Sequence, residues 1–98
     1  MSLDQAIREE ARLIMLRALA DEPDHRLNSS LLVQVLGNFA ITRSRDWVHE
    51  ELRRLADLGA VTIVEAGSVR VASLTEKGLD HVERRLVIEG VKRPGPRA

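Results

Sequence analysis

The chain has 98 residues, 44% of them hydrophobic and 31% charged, which fits one domain around one core with the composition of an ordinary soluble globular protein. It holds no cysteine, which excludes disulfides, thiolate metal sites and a cysteine nucleophile. Its charged first residues do not read as a secretory leader, and no apolar run approaches the roughly 20 residues that cross a bilayer, so the cytoplasm is the expected compartment.

Fifteen basic and fifteen acidic residues cancel overall, but the last fifteen positions, Arg84 to Ala98, carry +4 and the remainder −4. An acidic body weighs against a nucleic-acid partner unless its cations gather on one face.

Leu3 to Ala20 sets Leu3, Ile7, Ala11, Ile14 and Ala18 at helical spacing, with Leu13, Leu16 and Ala20 on another side. A helix apolar on two sides is expected to bury both, either in the core and against a second subunit or by lying centrally in a small fold. DEPDHR, residues 21–26, reads as a turn because Pro23 cannot continue a helix. Asn28 is placed to cap a second helix carrying Leu31, Leu32, Val35 and Leu36, which Gly37 and Asn38 end. Thr42 then caps a third helix to about Leu58, with Gly59 as its stop. Projection at about 100° per residue gives this helix a dry half of Trp47, Val48, Leu52, Leu55, Ala56 and Leu58. Its wet half holds Arg43, Asp46, His49, Glu50, Arg53, Arg54 and Asp57.

From Val61 the pattern alternates: Val61, Ile63 and Glu65 against Thr62 and Val64, a turn at Ala66, Gly67 and Ser68, then Val69 and Val71 against Arg70 and Ala72. This predicts a β-hairpin. Thr75 caps a fourth helix with Leu79, Val82 and Leu86, lasting to about Glu89. The closing VKRPGPRA has two prolines, three basic residues and no periodicity, and reads as a flexible basic tail. The expected organisation is one domain over residues 1–90 and a tail over 91–98. Its class is mainly α with a small β-hairpin.

Three helices, a hairpin and a further helix in that order resemble a winged helix-turn-helix. LRRLADLGAV resembles the end of a recognition helix turning into its wing, LTEKG the exit from the wing in ArsR-like and MarR-like regulators, and GNFAIT the turn between the second and third helices. Segments such as RLNSSLL, TRSRDWV and IEGVKRP are similar to small ArsR-like proteins of Mu-like phages and prophages. The resemblance implies a homodimer that places its third helix in the major groove of double-stranded DNA and its wing on the adjacent backbone.

On that expectation the DNA-binding candidates are Arg43, Ser44, Arg45, His49, Arg53, Arg54 and Arg70. Arg43 and Arg45 near the helix start suit guanine or phosphate, whereas Arg53 and Arg54 suit the backbone or pair with Glu50 and Asp57. Asp46 and Glu50 oppose phosphate, and Arg70 is the hairpin's lone cation, so the wing is either a single phosphate contact or a lid over the core. The tail is either a phosphate contact or a solubilising end. Trp47 reads as a core or rim anchor. The expected dimer interface is Leu13, Leu16 and Ala20 of the first helix with Leu79, Val82 and Leu86 of the last.

His25, His49 and His81 lack ligand spacing, so no metal and no cofactor are expected. No nucleophile–base motif or phosphate loop supports an enzyme. The alternative to a DNA-binding regulator is a protein-interaction or assembly module on the same fold.

Overall fold

The computed structural model describes residues 1–95. Its order is α1 (Leu3–Asp21), β1 (Arg26–Asn28), α2 (Ser29–Asn38), α3 (Arg45–Asp57), β2 (Val61–Ala66), β3 (Val69–Leu74) and α4 (Glu76–Val82). The strands form one antiparallel sheet in the order β1-β3-β2. The four helices and the hairpin occur in the predicted order, and β1 is an addition. The stretch read only as a turn ends in Arg26, which opens β1 opposite Ser73, and Leu27 pairs with Ala72.

α1 runs through the centre. Met15, Leu16 and Leu19 are fully buried and meet Leu32 and Leu36 of α2, Val48, Leu52 and Leu55 of α3, and Ala72 of β3 in one core. Leu13, Leu16 and Val82, expected at a dimer face, are buried in the chain's own core. Five elements, α2, α3, α4, β1 and β3, pack around the helix that carries Leu13 and Leu16. Ala20, Leu79 and Leu86 are half-buried.

The helix ends follow one rule that differs in detail from expectation. Asn28 caps α2 as predicted, its side chain accepting from the Leu31 amide. α3 is capped by Ser44 rather than Thr42, the Ser44 hydroxyl accepting from the Trp47 amide at 3.1 Å, so Arg45 is its first residue. At its other end Ala60 N–H donates to the Leu55 carbonyl across Gly59, whose φ of 79° suits glycine. α2 closes the same way, with Ile41 N–H donating to Leu36 across Ala40 at φ 62°, so Ala40 rather than Gly37 or Asn38 takes the left-handed position. α4 closes across Arg84 at φ 65°, with Arg85 N–H reaching Asp80, and therefore stops seven residues short of Glu89. Leu86 thus lies outside the helix that was to carry it.

Beyond α4 the chain folds back as a strap over α1. Ile88 and Val91 are buried, Arg12 donates to the Gly90 carbonyl at 2.7 Å, and Lys92 N–H donates to the Glu9 carbonyl at 3.2 Å. The buried His81 ring fastens the strap: Nδ1 accepts from Ile88 N–H at 3.0 Å and Nε2 donates to the Lys92 carbonyl at 2.9 Å. Val91 and Lys92, the first residues of the expected tail, thus pack against α1. Residues 96–98 of the expected tail, Arg97 among them, lie outside the described residues.

Candidate nucleic-acid interface

A polar junction lies where the N-termini of α2 and α3 meet the hairpin. Ser29, the first residue of α2, is fully buried, and its hydroxyl joins three elements. It accepts from the Arg70 backbone N–H of β3 at 3.0 Å and pairs with His49 Nε2 of α3 at 2.7 Å. Because Ser29 already accepts from Arg70, the economical arrangement has it donate its single hydroxyl proton to a neutral imidazole.

Burial, followed by the nearby positive charges of Arg70 and Arg45, lowers the pKa of His49 from its ordinary 6.5. The neutral form is therefore the folded one. As pH falls below about 6.5 the unfolded chain takes up a proton that folded His49 resists, so the stability present above that value is lost through the depressed folded pKa. Urea midpoints recorded across this window should fall more steeply for the native chain than for His49→Gln. Equal slopes would remove the effect.

Next to this junction Arg45 is exposed, and its Nη1 lies 3.5 Å from the Ser68 hydroxyl in the hairpin turn. Ser30, Val33 and Gln34 of α2 line one open depression with Ser44, Arg45 and Asp46. Arg70, half-buried, has its guanidinium 3.7 Å from the Glu65 carboxylate across the hairpin. Of the seven residues predicted for DNA contact, the fold brings Ser44, Arg45, His49 and Arg70 together.

The other three stand apart. Arg43 is turned back, donating to its neighbour Thr42 at 3.0 Å and lying 5.6 Å from the Trp47 ring centre, with Arg8 of α1 at 5.4 Å from the same ring. Trp47 is thus half-buried against the core and flanked by two guanidinium groups, a rim anchor. Arg53 and Arg54 are exposed farther along α3 and share a small depression with Glu50 and Asp57. The outermost ridge of α3, Asp46, Glu50, Arg53 and Asp57, holds three acids and one base, all exposed.

The residue that sequence reasoning missed is Glu51. It is 2% exposed and accepts from Arg8 at 2.6 Å and Arg12 at 2.9 Å, tying α3 to α1. Its place between Trp47 and Leu55, four residues from each, was the available signal.

The fold and this surface define a small domain of four helices and a three-stranded antiparallel sheet, with a polar junction where two helix starts reach a hairpin turn. Among its described residues no helix is long and apolar enough to cross a membrane, and no group of three or more His, Asp or Glu is placed to hold a metal ion. No family model matches the chain. Over 96 residues, 98% of this chain and 99% of the relative, it is 35% identical to the uncharacterized protein gp26 of Escherichia phage Mu. The chain belongs to the family of that phage protein.

Proposed function

We propose that the protein is a winged helix-turn-helix, DNA-binding regulator of phage or prophage genes that acts as a homodimer. In this reading α2 and α3 form the helix-turn-helix, the β2–β3 hairpin is the wing, and the first turn of α3 enters the major groove. The observation that carries the proposal is the approach of Arg45 to Ser68, which joins the start of α3 to the wing turn on one surface. Two hydroxyls, an amide and a guanidinium, from Ser30, Ser44, Gln34 and Arg45, line the adjoining depression, the donor types that bind phosphate and base edges. Membership of a phage protein family supports the setting.

The test is binding to double-stranded fragments from the gene's own neighbourhood at several salt concentrations. Arg45→Ala is expected to weaken binding about tenfold, within the roughly 1 to 3 kcal/mol of a good arginine contact. If Arg45 holds a phosphate, the slope of log K against log salt becomes shallower by about one. Absence of any salt-sensitive binding by the native chain sinks the reading.

A second reading, a protein-interaction or assembly module, is favoured by the exposed acids Asp46, Glu50 and Asp57 along the α3 ridge. It requires a protein partner that survives nuclease treatment and is lost on Glu50→Arg.

A further inference from the structure

We infer that the cleft between α1 and α2 is a self-association surface that receives Phe39 from a second copy of this chain. The cleft has a volume of about 640 Å³, and Ile14, Ala18, Leu27, Leu31 and Val35 supply its apolar lining, with Gln34 and Asn38 along one side. Phe39, the chain's only phenylalanine, stands at its edge and is 61% exposed.

The turn that ends α2 fixes this outward position. Phe39 N–H and Ile41 N–H both donate to the Leu36 carbonyl, Ala40 takes the left-handed conformation between them, and Ile41 occupies the buried position. Turning Phe39 inward would displace Ile41 from the core. The ring is held in water beside an apolar cleft that its own chain does not fill.

A protruding ring and an apolar cleft on the same surface are self-complementary under a two-fold axis, since each copy's knob can enter the other's hole. Burying an aromatic ring in this way is a common source of interface affinity. Charge favours a second copy over an unrelated apolar occupant. Arg17, Asp21 and Glu22 all line the cleft, and a two-fold arrangement can set the arginine of one copy against the Glu22 carboxylate of the other. Arg17 Nε is buried with no acceptor in the single chain, a donor that a carboxylate from across the axis satisfies.

The surface supplies an interface for the homodimer of the preceding reading, but it rests on the cleft alone. Its experiment contains no DNA, so the two can fail separately. Sedimentation equilibrium of the full chain from low to high micromolar concentration should show a monomer–dimer equilibrium. Phe39→Ser should raise the dissociation constant at least about tenfold with an unchanged urea midpoint, because the ring contributes little to the single chain's core. Arg17→Glu should also weaken association, and Arg17→Glu with Glu22→Arg should recover it. A native chain that stays monomeric throughout, or a Phe39→Ser variant that dimerises like the native chain, overturns the inference. A double variant no better than Arg17→Glu overturns the charge pairing across the axis.

Discussion

Replacing Glu51 with alanine is expected to destabilise the fold by about 3 kcal/mol, read as a lower urea midpoint. The carboxylate is 2% exposed and accepts from both Arg8 and Arg12, so its removal leaves two guanidinium groups facing a pocket that has lost its anion. Breaking a buried pair costs about 3 to 5 kcal/mol, and the lower end applies because the Arg8 side chain remains 33% exposed and can turn to water. The Asp4 and Glu51 carboxylates also raise the Arg8 pKa above its ordinary value, with desolvation opposing them. Asp4→Ala is the internal control. It removes a bond of 2.9 Å to the same arginine, but Asp4 is 68% exposed, and the expected loss is below about 0.5 kcal/mol. Equal losses in the two variants would show that burial does not set the difference.

Gly78→Ala should have an effect of similar size, about 3 kcal/mol, at the upper end of the usual range for overpacking. A Cβ built on Gly78 would lie 2.2 Å from the Ala60 carbonyl oxygen and 2.7 Å from Leu74 Cδ1. The leucine can change rotamer, but the carbonyl is held because it accepts from the Thr75 N–H at 3.1 Å. α4 must therefore move away from the start of β2, weakening the Thr75 cap that bonds Gly78 N–H at 3.0 Å. Gly37→Ala gives the contrast: its Cβ would meet nothing within 4 Å, the site is helical, and a gain of about 0.5 to 1 kcal/mol is expected. A Gly78→Ala variant as stable as Gly37→Ala would refute the close approach.

Periodicity carried the reading of the longer elements because α3 has one side packed and one side wet, while α1, apolar on two sides, is buried on both. It could not find β1, whose three residues are too few to alternate and are held by Val71, Ala72 and Ser73 of a strand some 45 residues away. The α3 cap moved from Thr42 to Ser44 because both hydroxyls suit that role in sequence, and only the buried position of Ile41 sets where the turn ends. Glu51 was hidden for a related reason. A charged side chain reads as exposed, and its two arginine partners lie 43 and 39 residues earlier. At the candidate site, Arg45 and Arg70 were legible as cations, while the hydroxyl of Ser29 that positions His49 and the hairpin was not. Nothing local distinguishes a buried serine at a helix start from an ordinary one.

The strap over α1 also brings Lys92 against the first residues of the chain. Lys92 bonds the Glu9 carbonyl, its ammonium is 3.3 Å from Glu10, and Met1, Ala6, Glu9 and Glu10 line one hollow with it. Met1 and Lys92 are thus neighbours on the same half of one helix, so the path from one to the other is nearly a closed loop. A circular permutant that joins the residues after Lys92 to Met1 through a short flexible linker and opens the chain between Gly67 and Ser68 would keep the core and the strap. It would cut the hairpin turn that Arg45 approaches, separating what the domain needs to fold from what holds that junction together.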